Sequence, residues 1–72
     1  LAYERRYYTG PLTKRERAVM LLVCGGFSSE EIGRKLGISC ETVNFHIKHA
    51  IGKLQARNRT HAAVLFDRGE PK

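Results

Sequence analysis

The stretch Leu36-Gly37-Ile38-Ser39 restricts this chain more than any other. Just upstream, Ser28-Ser29-Glu30-Glu31 has the form of a capping box that opens a short helix carrying Ile32 and Leu36. Gly37 stops that helix, and Ser39 caps the next after only Gly37 and Ile38. Two helices joined by so tight a glycine-containing turn form a helix-turn-helix, not a parallel hairpin. The rest of the punctuation adds two helices around this pair. Thr13-Lys14-Arg15-Glu16 is a second capping box, followed by an apolar stripe of Val19, Met20, Leu22, Val23 and Cys24 that ends at Gly25-Gly26. The third helix should run from Ser39 to about Gln55. A fourth should start near Asn58, a good N-cap, and carry Ala62, Ala63, Val64, Leu65 and Phe66 before Gly69 and Pro71. No segment alternates as a strand would, so the expected class is an all-α, four-helix helix-turn-helix domain.

With 72 residues, the chain supports one domain with one modest core, in which an open catalytic cavity would be expensive. The expected layout is a linker over residues 1–11, the helical domain over 12–68 and a tail over 69–72. The lack of an initiator Met suggests a piece cut from a longer protein. No apolar run approaches membrane-spanning length, and the first residues lack the apolar stretch of a secretory signal. The formal charge of +6 raises the odds of a phosphate-bearing partner, although surplus cations also serve solubility. Two cysteines make no disulfide framework, which fits a reducing cytoplasm. Cys24 reads as a small core residue and Cys40 as a tolerated helix-start residue, with a redox role for Cys40 as the alternative.

The third helix has two different faces. At 100° per residue, Val43, Ile47, Ala50, Ile51 and Leu54 share one arc and should face the core. Opposite them lie Glu41, Phe45, Lys48, His49 and Gly52, with Asn44 and Gln55 on one flank and His46 and Lys53 on the other. This face suits a DNA major groove: Asn44 can pair with adenine, Lys48 can donate to guanine, and Glu41 can accept from cytosine. Phe45 suits a thymine methyl or a partner surface. The competing readings are a plain solvated face for Asn44 and Lys48, and packing against the linker or an upstream domain for Phe45. His46 and His49 have the spacing of two metal ligands, but no further His/Cys cluster completes a zinc site, and no metal or other cofactor is expected. Catalytic sets are equally absent from the sequence: no Ser/His/Asp arrangement, paired carboxylates or phosphate-loop glycines are seen.

These residues, taken in order, resemble the LuxR/GerE-type helix-turn-helix. Leu12-Thr13-Lys14-Arg15-Glu16 looks like its L-T-x-R-E opening, and Gly26-Phe27-Ser28 followed by Glu31-Ile32 looks like its G-x-S-x-x-E-I. Leu36-Gly37-Ile38-Ser39, Thr42-Val43-Asn44-Phe45-His46, Lys53-Leu54 and Asn58-Arg59-Thr60 complete the pattern as far as about residue 66. The resemblance implies a third helix in the major groove of double-stranded DNA and a fourth helix that pairs two copies on an inverted repeat. Under it, Glu41, Asn44, Phe45 and Lys48 read bases; Thr42, His46, Lys53, Arg57 and Arg59 meet phosphates; and His61, Val64, Leu65 and Arg68 form the homodimer interface. RNA polymerase is a further partner it admits. Thr42 to His46 look most like the quorum-sensing branch, whose upstream domain binds acyl-homoserine lactones; the output domain of a two-component response regulator is the alternative.

Two positions depart from the family pattern. Gly33 stands where Ala is usual and Gly52 where a larger polar or basic residue is common, each glycine with an expected cost of about 0.5–1 kcal/mol relative to Ala. A rival from another class is a helix-turn-helix that has lost DNA and binds a protein, kept open by Phe45 and the Glu30-Glu31 pair.

Overall fold

A computed structural model gives the fold and describes residues 11–68. The linker expected over 1–11, apart from Pro11, and the tail over 69–72 lie outside the described residues. Four helices follow one another, α1 (Lys14–Cys24), α2 (Ser29–Leu36), α3 (Cys40–Leu54) and α4 (Arg59–Asp67), and no strand occurs among the described residues. Each helix starts where its cap was expected. The Thr13 and Ser28 hydroxyls accept the amides of Glu16 and Glu31, whose carboxylates return to the Thr13 and Ser28 amides. Ser39 Oγ accepts the Thr42 amide and Asn58 Oδ1 that of His61. One orphan amide at each of the four helix starts thus has a side-chain partner.

Leu12, Val19, Met20 and Val23 meet Ile32, Val43, Ile47, Ala50, Ile51 and Ala62 in one core. Leu22, Phe27, Leu36, Ile38, Leu54, Ala63 and Phe66 pack around it, half-buried. α3 is the axis of the domain, since α1, α2 and α4 all pack against it. Its buried arc holds Val43, Ile47, Ala50 and Ile51 as the periodicity expects, with Leu54 at the margin. Gln55 ends α3 in the left-handed conformation, at φ 57°.

The α2–α3 turn corrects one expectation. Gly37 closes α2 at φ 73°, a conformation that glycine enters without steric cost. Gly33 is not merely a weak helix former here. A Cβ built on it would lie 2.6 Å from the Ile38 carbonyl oxygen, in the turn whose Ile38 amide bonds the Gly33 carbonyl at 3.0 Å. The backbone of the turn comes too close for a methyl group, so the expected gain from Ala is outweighed by a clash. Gly52 is also buried, not on the outer face where the wheel put it. Cys24 moves the other way. It is exposed, with its thiol 3.5 Å from the Ala63 carbonyl at the edge of α4, because its position falls on the flank of the α1 stripe. Although the residue is exposed, partial desolvation of its sulfur, with a smaller effect of Asp67, pushes that thiol's pKa up from its ordinary value.

Gly33→Ala should therefore destabilise the domain by about 1–3 kcal/mol, the usual range for overpacking, where helix propensity alone would make it a gain. Chemical denaturation of the two proteins side by side measures the sign directly.

Candidate nucleic-acid interface

α3 begins immediately after the turn and packs its inner arc, from Val43 to Ile51, against the other three helices, leaving its outer arc to solvent. Glu41, Asn44, Phe45 and Lys48 are all exposed, along one continuous face. Phe45 is 55% exposed, among the most solvent-exposed large apolar residues described. Its ring does not float free: the His49 ring lies 4.2 Å from it, centroid to centroid, and that of His46 at 5.9 Å in an edge-on arrangement. Thr42 is half-buried at the helix start, where its hydroxyl accepts from Ser39 Oγ at 2.9 Å. Asn44 is tied on both sides: Oδ1 accepts from Ser29 Oγ at 2.6 Å, and Nδ2 lies 3.8 Å from Cys40 Sγ.

Two cations expected at phosphates are directed inward instead. Lys53 Nζ donates to Glu16 Oε1 at 2.8 Å and to the Pro11 carbonyl at 3.3 Å, and its side chain is only 13% exposed. Glu16 is itself 4% exposed, and its other oxygen lies 3.8 Å from His49 Nδ1. A buried carboxylate demands a close positive partner, and Lys53 meets that demand within the fold. Arg59 is likewise committed. Its guanidinium donates to the Phe27 carbonyl at 2.8 Å and to Ser29 Oγ at 3.0 Å, which pins the start of α4 to the start of α2. Sequence reasoning missed both because periodicity shows which face a residue occupies, not which cross-chain partner claims its charge. The buried Glu16 had only one visible signal, its place in the capping box.

Arg57 and His46 keep positions compatible with phosphate. The Arg57 side chain is exposed, while its backbone amide donates to His61 Nδ1 at 3.0 Å. His46 is half-buried, and burial holds its pKa below the ordinary 6.5; Glu16 opposes that shift, and Arg15 and His49 add to it. Burial likewise pushes the Glu16 pKa up. The Lys53 hydrogen bond, the Thr13 amide and the charges of Lys53 and His49 outweigh it and leave the group below 4.5. On α4, Val64 is 47% exposed and Arg68 is exposed, whereas His61 and Leu65 are half-buried. Leu65, expected at a dimer interface, is thus less open than Val64. Leu21 on α1, 60% exposed, was not singled out by the sequence pattern. Among the described residues no helix is long and apolar enough to cross a membrane.

A four-helix domain with a tight turn, an inward-packed arc of α3 and an outward-facing polar and aromatic arc on the same helix defines a helix-turn-helix domain. Comparison with known proteins gives its family. Residues 10–66 match the family model for bacterial regulatory proteins of the luxR family, and the chain belongs to that family as a helix-turn-helix DNA-binding domain. The solved structure of the transcription factor GerE superimposes with a TM-score of 0.74 at 38% identity, over 82% of this chain and 90% of that one. Relatives include the transcriptional regulatory protein LiaR of Bacillus subtilis, 42% identical over 79% of this chain and 27% of its own length. The nitrate/nitrite response regulator protein NarL of Escherichia coli is 40% identical over 74% of this chain and 24% of its own. The transcriptional repressor ThaA of Burkholderia thailandensis is 45% identical over 68% and 21%. The chain spans about a quarter of the length of these three relatives.

The Lys53–Glu16 pair makes two linked predictions. Lys53→Ala should lower stability at pH 7 by about 3 kcal/mol, because it strands a buried carboxylate. A domain this small should then melt more than about 10 °C lower. Glu16 has a lowered folded-state pKa, so its contribution is present above 4.5 and is lost as the pH falls through the lower folded value. Thermal melts of the two proteins should therefore converge on acidification below 4.5. The salt dependence of DNA binding, measured well below both melting temperatures, should stay unchanged in the variant, since no phosphate contact is lost.

Proposed function

We propose that the chain is the output domain of a bacterial transcription regulator and reads double-stranded DNA sequence-specifically, with α3 in the major groove. The observation that carries this reading is the exposed face of Glu41, Asn44, Phe45 and Lys48 on the helix that follows the tight turn. Its polar groups match base edges, and its aromatic ring has no folding reason to be outside. Exposed Arg57 and half-buried Thr42 and His46 flank that face where phosphates would run. With the surplus of cations, the setting is electrostatically suited to DNA in the cytoplasm.

On the upstream partner, the names of the relatives favour the response-regulator alternative over the quorum-sensing branch. NarL is by name a response regulator, as is a homologue from Haemophilus influenzae, 39% identical over 92% of this chain. The reading adopted is therefore the output half of a response regulator, with lactone reception set aside. A protein-interaction module, the rival class, is separated from it by salt: phosphate binding weakens steeply as counterions compete, and apolar docking of Phe45 does not. Asn44→Ala and Lys48→Ala should each lose about 1–3 kcal/mol of discrimination between operator and scrambled DNA. Arg57→Ala should weaken both DNAs together and reduce the salt slope by about one. Affinities of the three variants on both DNAs at several salt concentrations decide the matter. Equal losses on both DNAs for Asn44 and Lys48 would remove them from base reading.

The same reading includes pairing of two copies on an inverted repeat through α4. Its support is the outer arc of α4, where exposed Val64 lies beside Leu65, His61 and Arg68. Two such helices meeting across a dyad set the recognition helices one DNA turn apart, about 34–36 Å. The patch is small, so dimerisation should be seen on DNA and not in solution. Val64→Asp should abolish cooperative filling of a two-half-site DNA while single half-site binding and helix content stay nearly intact. Gel-shift titrations on one and two half-sites, with circular dichroism, test this. Cooperative filling by the variant would show that α4 is not the interface.

A further inference from the structure

We propose that Ser29 is a positioning residue for base reading: polarised by Arg59, its hydroxyl fixes which end of the Asn44 amide faces the DNA. The proposal rests on the reading of Asn44 as a base-contacting residue and goes beyond it, because Ser29 and Arg59 need touch no DNA. The chain of donors runs in one direction. Arg59 carries only N–H donors and is always charged, so at 3.0 Å its Nη1 must donate to Ser29 Oγ. The same guanidinium is anchored by a second bond, 2.8 Å to the Phe27 carbonyl, which fixes its plane. With one lone pair of Ser29 taken, its O–H and its second lone pair remain, and its neighbour is the Asn44 amide at 2.6 Å. That spacing is typical of O–H···O and short for N–H···O, so the carbonyl end of Asn44 is the one turned to Ser29.

The consequence falls on the groove side. Asparagine reads adenine with both ends of its amide at once, accepting from N6 and donating to N7. An amide free to rotate by half a turn presents either end to either atom, and only one orientation matches. Ser29 removes that freedom. Asn44 Oδ1 retains a second lone pair, and Nδ2, which lies 3.8 Å from Cys40 Sγ, retains a hydrogen directed elsewhere. The residue is thus held in one of its two orientations while both reading groups stay available. The relay also begins at the first residue of α4 and ends on α3, so a residue of the helix proposed to pair two copies bears on the side chain proposed to read a base.

Ser29 is the first residue of α2, while the helix cap is Ser28, so Ser29→Ala leaves the cap in place. Each variant is used to select sites from a randomised double-stranded DNA pool. Ser29→Ala should lose about 3–10-fold of base preference, the worth of one neutral hydrogen bond, at the same single position where Asn44→Ala loses it. Preference elsewhere and the melting temperature should change little, and Ser29→Thr, which retains a hydroxyl, should restore the preference. In DNA-free protein, the Asn44 side-chain amide NMR signals should move in Ser29→Ala and return in Ser29→Thr. An unchanged selection profile for Ser29→Ala, or one weakened evenly at every position, overturns the positioning role and leaves Asn44 as a reader. If Asn44→Ala itself shows no positional loss, the reading of Asn44 fails and the proposal fails with it.

Discussion

The carboxylate of Glu16 ties the two longest helices together at one point. Oε1 accepts the Thr13 amide that starts α1 and also the ammonium of Lys53 in the last turn of α3. Oε2 faces the imidazole of His49 one turn earlier on α3. A capping residue is ordinarily a local device, worth about 1 kcal/mol to its own helix. Here the same group fixes the start of α1 against the back half of α3, beneath the face that is to read DNA. Burial of a lone carboxylate would be strongly unfavourable, and the paired ammonium and amide make it tolerable. The arrangement also explains why α3 can expose so much of its front half. Its rear is held by Val43, Ile47, Ala50 and Ile51 and by this polar clasp, so the outward residues are released from any role in folding.

The outline of the fold was legible because each helix carries its start and stop in side chains that act locally. Thr13, Ser28, Ser39 and Asn58 each accept the amide three residues ahead, a relation that depends on nothing distant. The inner arc of α3 was legible for the same reason: periodicity is a property of the helix itself. What failed was local reasoning about residues whose partners lie far along the chain. Lys53 and Glu16 are separated by 37 positions, Arg59 and Ser29 by 30, and no pattern within a helix announces either pair. The same limit applies to Gly33. As a residue in a helix it looks like a loss, and only the return of the turn at Ile38 shows that a methyl group does not fit.

The two misplaced cations change how the basic character of the domain should be understood. Lys53 and Arg59 count toward the formal charge, yet each is occupied within the fold, one by a carboxylate and the other by a carbonyl and a hydroxyl. Lys35 is also engaged, with its ammonium 4.6 Å above the Phe27 ring. Net charge is therefore a poor count of phosphate contacts. Under the proposed function, the cations available to DNA are those that remain exposed beside the α3 face, among them Arg57 and Lys48.

The reading face itself is braced from behind on both sides, and this gives the interface its physical character. Asn44 is oriented by Ser29, and Phe45 rests against the His49 ring, whose other edge faces Glu16. Neither residue is held by burial, since both are exposed, so each has a polar or aromatic neighbour that restricts it instead. An unbraced side chain loses rotamer freedom when it meets a base, and that loss subtracts from the contact. Bracing moves much of this cost into folding, where the core offsets it. It also assigns α2 a role beyond crossing behind α3, since Ser29 at its start shapes what α3 presents. Under the proposed reading, discrimination is a property of the whole turn and its supports, and α3 transplanted alone onto another scaffold would carry Asn44 and Phe45 without the neighbours that orient them.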